Sequence, residues 1–353
     1  MKKIIIQPKN EFSIMTDMLI VLASLAAMTV YYYGLRAAVI ILISTAVCLS
    51  ADFICLKIRK QRVDFRDLSA LITALVLSLM MSAAAPYYAV VIAALFAVII
   101  GKHAFGGHRR EIFNCAATGF MFASLNFPGT MLLYPKPFTY LSAADAVVAQ
   151  TQLYPSMTKS VTATESGGTN VMDILIGKFC GPMGAGFILL LIIAAAFLML
   201  RRSVSAVTFF TEFLAVFGFS FVYYEYDLLK TLNLLSSGML IFGMLFLSCE
   251  FSTIPKTYSS RFLYGLITAI LILIFHFYAK AENAIVYAVI IAAPFGIELD
   301  RKALSFADML NKNSPAAKFK KKYDQNLSNV EETITLINGS DDNDKTKGYN
   351  PRK

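Results

Sequence analysis

What most constrains this chain is the length of its apolar runs. IMTDMLIVLASLAAMTVYYYG at 14–34 and AAVIILISTAVCLSADFICL at 37–56 each hold a single carboxylate and no base. Each is about the length, ~20 residues, that crosses a bilayer as a helix. The whole sequence agrees: 57% of the 353 residues are hydrophobic and only 16% are charged, against about 25% charged in soluble domains. Mean hydropathy is +0.61. Ten spans are predicted, at roughly 14–34, 37–56, 68–84, 86–102, 112–127, 174–200, 205–224, 232–250, 262–279 and 283–298. Several are short or cut by Gly or Pro, a pattern of broken helices that line a protein-buried site.

The basic residues orient the spans. Ten crossings with an internal N-terminus leave only Arg36, Lys136, Lys159, Lys178, Lys230 and Lys280, of the 32 Lys and Arg, on the outer side. That asymmetry follows the positive-inside rule, so the net charge of +9 reflects topology and not nucleic-acid binding. The expected fold is an all-α integral membrane protein of about ten transmembrane helices, with Gly/Pro-broken segments and an internal repeat of two halves. Residues 1–298 form its transmembrane domain, with an external loop at about 128–173. Residues 299–353 form a cytoplasmic tail, whose KFKKKY suits anionic lipid and whose polar end reads as disordered. The start MKKIIIQPKNEF precedes a full-length apolar run, so no cleavable signal peptide is expected.

Several chemistries have no foothold. Cys48, Cys55, Cys115, Cys180 and Cys249 are scattered without a CxxC pair, and most of them read as small buried apolar residues with no metal role. No HExxH, GxSxG, P-loop or paired catalytic carboxylate occurs, and no soluble nucleotide-binding fingerprint. No catalytic residue is therefore assigned.

One block stands out from the apolar background: GKHAFGGHRREIFNCAATGFMFASLNFP, from residue 101. It resembles the GKH-x-FGG…FNPA-x-x-G…SFP block of a family of membrane redox proteins, the RnfD/NqrB family. Its members are the D component of the Rnf electron-transport complex and the B component of the sodium-pumping NADH:quinone reductase. DLSALITALVLSLMMSAAAPYY, DILIGKFCGPMGAGFILLLIIAAAFLMLRR and SSGMLIFGMLFLSCEFSTIPKTYSSRFLYGLITAILILIF resemble further family blocks in the same order. The resemblance covers residues 67 to about 301. It departs from the family at Asn114–Cys115 for Asn–Pro, at Cys249–Glu250 for Thr–Asp and at Arg109 for Gly.

The resemblance implies a subunit that carries flavin and relays electrons between sibling subunits, coupled to Na⁺ or H⁺ movement, and not an enzyme acting alone. It places the protein in the bacterial cytoplasmic membrane, multi-pass, with both termini cytoplasmic. NAD(H) or ferredoxin would then bind another subunit. The implied partners are those membrane and peripheral subunits, a flavin transferase and membrane lipid. Family members carry FMN as a phosphoester on the Thr of a D-x-x-[S/T]-x-A-T motif. KSVTATES keeps the Ala163–Thr164 pair but lacks the leading Asp. Thr164 is the expected attachment residue and Thr162 the alternative.

A second flavin, riboflavin, is expected near the glycine breaks. There Gly106 and Gly107 permit unusual dihedrals. Lys102 and His103 suit an anion such as a flavin phosphate, and Asn114 belongs to the same block. Arg109 and Arg110 read as positive-inside anchors. Glu250 and Thr253 offer hard oxygens to a small cation or a flavin N–H. Asp52 and Asp67 read as interfacial ion pairs, and His276 as an interfacial histidine. Glu212 lies too deep in its span to dismiss, and is expected either to pair with a helix neighbour or to belong to an ion path. The rival reading is a non-redox transporter or channel for a small solute.

Overall fold

The computed structural model describes residues 10–61, 66–107, 111–138, 140–141, 153–155, 171–177, 179–236 and 239–310. Thr162, Thr164, Arg109, Arg110 and the tail beyond 310 lie outside the described residues. Every predicted apolar span contains helix, some of them interrupted, and the all-α membrane architecture holds.

The helices are α1 (Glu11–Tyr33), α2 (Leu35–Ile58), α3 (Ser69–Met80), α4 (Tyr87–Phe96), α5 (Cys115–Asn126) and α6 (Pro128–Met131). They continue with α7 (Val171–Ile176), α8 (Ile188–Leu200), α9 (Ala206–Tyr223) and α10 (Leu228–Ser236). The last are α11 (Leu240–Gly243), α12 (Tyr258–Phe277) and α13 (Ala284–Leu310). Two helices widen into π segments before they stop: α4 over Ala97–His103 and α11 over Met244–Ser248. The short strands β1 (Leu133–Pro135) and β2 (Leu153–Pro155) pair antiparallel, with Tyr134 opposite Tyr154.

The expected ten crossings are not established as ten continuous spans. Among the described residues four helices, α1, α2, α9 and α12, are long and apolar enough to cross a membrane, or five if α10 and α11, bent by 57°, form one span. The shortfall comes from polar backbone that interrupts the other apolar runs. At a rise of about 1.5 Å per residue, the twelve residues of α3 reach only part of the way across a ~30 Å hydrocarbon core.

Polar residues at the interruptions start the helices. The Asn10, Asn114, Ser205 and Thr257 side chains each accept a backbone N–H of the first turn that follows, satisfying donors that helix geometry leaves open. The core centres on α3, buried from Thr73 to Met80 and packed by α1, α2, α4 and α5. The α9, α12 and α13 helices form the second packed group, and α5 meets α13 between the two. Helices approach closely where side chains are small. A Cβ on Gly119 of α5 would sit 2.5 Å from the Ala93 carbonyl oxygen of α4.

The interruptions meet in pairs. Residues 81–86, which link α3 to α4, lie against residues 179–187, which precede α8. The Gly184 and Met183 amides donate to the carbonyls of Leu79 and Met81 at 2.7 and 3.1 Å. Arg36, grouped by sequence with the outer-side charges, is only 2% exposed. Its Nε and Nη2 donate to the Ala83 and Ala85 carbonyls at 3.0 and 3.3 Å, and its guanidinium lies 5.0 Å from the centre of the Tyr87 ring. A buried arginine thus supplies partners for backbone that has no helix to bond within.

Candidate functional site

The second pair of interruptions holds most of the residues singled out by sequence. The π segment of α4 ends at His103, and Gly106 and Gly107 follow with φ of 117° and 89°. Only glycine adopts such angles without strain. In this conformation the Gly106 amide donates to the His103 carbonyl at 3.2 Å and the Gly107 amide to the Lys102 carbonyl at 3.0 Å. The glycines therefore close the helix end.

Lys102 and His103 are both buried, at 2% and 9% exposure, and they face carboxylates. Lys102 Nζ lies 2.8 Å from Asp52 Oδ1 and 3.6 Å from Asp67 Oδ2. His103 Nε2 also lies 2.8 Å from Asp52 Oδ1. Asp67 in turn accepts the Ser69 amide at 2.9 Å and so caps α3. Arg59 Nη1 donates to the His103 carbonyl at 3.3 Å. The positive charges expected to attract a phosphate are thus largely compensated by α2 and the start of α3. The geometry is that of a charged network tying three helices together.

Asn114 takes a different part. Its Oδ1 accepts the Ala117 amide at 2.8 Å, capping α5. Its Nδ2 donates to Glu250 Oε2 at 2.7 Å and points toward the Phe246 and Leu247 carbonyls at 3.5 and 3.4 Å. Those carbonyls belong to the second π segment, where the wider turn alters the regular i→i−4 ladder. One side chain therefore starts a helix, meets the end of another and fixes the carboxylate that follows it.

Beside this bond opens a cavity of about 160 Å³, lined by Ile14, Met15, Met18, Ile72, Thr73 and Glu250, among others. Ser69 and Ser252 line it too. The Ser69 hydroxyl oxygen, and that of Thr253, are buried with no hydrogen-bond partner, while the Ser252 hydroxyl lies beside the Glu250 carboxyl. Buried hydroxyls without partners are costly. The lining thus combines apolar side chains with hydroxyls and the carboxylates of Glu11, Glu111 and Glu250. Lys256 stands at the same cavity, exposed, where a cation suits a phosphate or a ribityl chain. Glu250 and Thr253, paired by sequence, do lie in this region. Lys102 and His103 belong instead to the carboxylate network.

Sequence reasoning missed three residues that hold the region in place. Asp17 of α1 is 2% exposed and accepts from Ser203 Oγ at 2.5 Å and from Arg201 Nη2 at 3.0 Å. A lone acid in an apolar run was the available signal. Asp300 of α13 accepts the Lys256 and Thr257 amides at 2.7 and 3.2 Å, so the helix of the last predicted span continues past its expected end and fixes the start of α12. Arg36 is the third. Glu212, by contrast, does find a helix neighbour: Ser248 Oγ donates to its Oε1 at 2.5 Å.

Comparison with known proteins agrees with this architecture. Residues 5–302 match the family described as NQR2, RnfD, RnfE. The chain is 25% identical over 301 residues to the D component of the ion-translocating oxidoreductase complex of Actinobacillus succinogenes, covering 75% of this chain and 84% of that protein. It is 23% identical over 261 residues to the D component of the proton-translocating ferredoxin:NAD(+) oxidoreductase complex of Clostridium ljungdahlii, covering 72% and 78%. With a match that runs nearly from the first helix to the last, this multi-pass membrane protein belongs to the NQR2, RnfD, RnfE family.

Proposed function

We propose that this chain is the flavin-carrying membrane subunit of an Rnf-type ion-translocating electron-transport complex. The observation that carries the reading is the cavity of about 160 Å³ beside the Asn114–Glu250 bond, where the buried Ser69 hydroxyl has no partner and Ser252 stands by the Glu250 carboxyl. The names of the relatives, as D components of ion-translocating and of ferredoxin:NAD(+) complexes, support the same reading.

In this reading FMN is esterified to Thr164 of the external loop by a flavin transferase, with Thr162 as the alternative, and a second flavin such as riboflavin occupies the cavity. A bound flavin supplies electron transfer that no side chain of this protein supplies. Ser69, Ser252 and Thr253 hydrogen-bond its polar rim, while Met15, Met18 and Ile72 cover its faces. Glu250, held by Asn114, orients the same rim. Electron donors and acceptors bind sibling subunits. The protein sits in the bacterial cytoplasmic membrane with both termini cytoplasmic, and couples the relay to Na⁺ or H⁺ movement.

The test is in-gel flavin fluorescence of the denatured chain, expressed with its flavin transferase. A band lost in Thr164→Val and kept in Thr162→Val supports the assignment. In native preparations, Ser69→Ala with Ser252→Ala is expected to lower the non-covalent flavin content several-fold. A colourless native protein together with a non-fluorescent band would reject the redox reading in favour of a solute transporter.

A further inference from the structure

Three carboxylates, those of Glu11, Glu111 and Glu250, line the cavity beside the Asn114–Glu250 bond, and Lys256 is the one cation among its described lining residues. Glu250 is held there by a neutral donor, the Asn114 side-chain amide, at 2.7 Å. Much of the remaining wall is apolar: Ile14, Met15 and Met18 of α1, Ile72 of α3, and Phe251. Such a lining favours an occupant that brings ammonium groups on aliphatic stems together with apolar side chains.

The chain carries a segment of that composition beside the cavity. Helix α1 starts at Glu11, which lines the cavity, and Asn10 caps it with ψ of 123° and its Oδ1 on the Phe12 amide at 3.3 Å. The backbone that enters Asn10 therefore does not continue the line of the helix. Residues 1–9, MKKIIIQPK, lie outside the described residues. They hold Lys2, Lys3 and Lys9, the run Ile4, Ile5 and Ile6, and no carboxylate.

Reach and family extent agree with a local role for this segment. Nine residues span up to about 30 Å when extended, ample to cross a space of about 160 Å³. The family match begins at residue 5, six residues before α1, so residues 5–9 belong to the matched region.

We propose that residues 2–9 form a strap across this cavity, with lysines on the carboxylates of Glu11, Glu111 and Glu250 and isoleucines on the apolar wall. Opposite charges attract more strongly in a partly dry cleft than at an open surface. Three adjacent isoleucines remove apolar wall from water. The strap thus joins the start of the chain to α3, to the segment before α5 and to the segment before α12. In the redox reading it also covers the flavin, but the contact itself does not rest on that reading.

The test uses the full chain in membranes, with Cys55→Ser and Cys180→Ser removing the two cysteines that are not buried. Ile5→Cys is paired with Phe251→Cys at the cavity, or with Lys60→Cys beyond the end of α2 as the control. Mild oxidation is followed by non-reducing gels and peptide mass spectrometry. A disulfide within one chain between positions 5 and 251, several-fold above the control pair, supports the strap. A disulfide formed only between two chains assigns the cavity to a second copy and overturns it.

Maleimide labelling of Phe251→Cys gives a second readout. It is compared in the full chain, in a chain lacking residues 2–8, and in the full chain with Lys2→Glu, Lys3→Glu and Lys9→Glu. Labelling several-fold faster in the shortened chain is expected, and the charge-reversed chain replaces it where the shortened one does not fold. Equal labelling in all three, with no disulfide above the control, overturns the proposal. Neither readout reports flavin, so failure here and failure of the redox reading are distinguishable.

Discussion

The Asn114 side-chain amide donates to the Glu250 carboxylate over 2.7 Å, joining residues 136 positions apart in the chain. The bond spans the two interruptions that follow the π segments, and the same side chain caps α5 through the Ala117 amide at 2.8 Å. Asn114→Ala is expected to destabilise the protein by about 1–3 kcal/mol, from the lost cap and the buried polar groups left unpaired. Asn114→Asp should keep the cap but set a second carboxylate against Glu250. Thermal unfolding of both variants in detergent checks this, and a stability in Asn114→Ala equal to wild type would show the bond to be idle.

Lys102 is buried and Asp52 half-buried, with Nζ 2.8 Å from Oδ1. Removing one partner leaves the other with only its second neighbour, Asp67 for Lys102 or His103 for Asp52, at a cost of about 1–3 kcal/mol. Lys102→Met and Asp52→Asn should each lower expression and midpoint of unfolding sharply. The double variant Lys102→Met/Asp52→Leu is expected to recover part of the loss. A double variant as unstable as the sum of the two single changes would argue that the charges do not act as a pair.

Gly119 marks where α5 crosses α4, with the Ala93 carbonyl oxygen 2.5 Å from where a Cβ would sit and the Ala97 Cβ at 2.6 Å. Neither neighbour is a flexible side-chain end, so even Gly119→Ala must push the helices apart, at roughly 1–3 kcal/mol. Gly129, with open space around it, is the control. Melting both alanine variants side by side tests the assignment: Gly119→Ala should fall well below Gly129→Ala.

Asp227 lies just outside the helices, before α10. The Lys230 backbone amide, foremost, and then the Lys230 side chain and the Leu229 amide hold its carboxyl below the ordinary aspartate value. Because the folded value is depressed, the stabilisation is present above the unfolded pKa and is lost as pH falls through the folded one. Amide exchange at Leu229 and Lys230 should therefore lose protection on acidification below about pH 4. In Asp227→Asn that pH dependence should vanish.

Much of the fold was legible because membrane helices are specified locally. Apolar runs of bilayer length, and the polar residues that interrupt them, fix where helices start and stop through their own backbone needs. Hence each predicted apolar segment holds helix over part of its length, and Gly106 and Gly107 take the positive φ their place in the block suggested. The family blocks were legible for the same reason, since they fall on these interruptions.

What the tertiary structure decided is which interruption meets which, and so whom each charge faces. Lys102 and His103 turn to Asp52, about fifty residues earlier, rather than to open solvent. Arg36, in the first turn of helix α2, binds carbonyls between α3 and α4. Glu212 is brought against Ser248 by the packing of α9 on the second π segment. These choices depend on contacts between segments far apart in the chain. Local propensity and hydropathy carry no term for them, whereas the cost of burying an unpaired charge or carbonyl does.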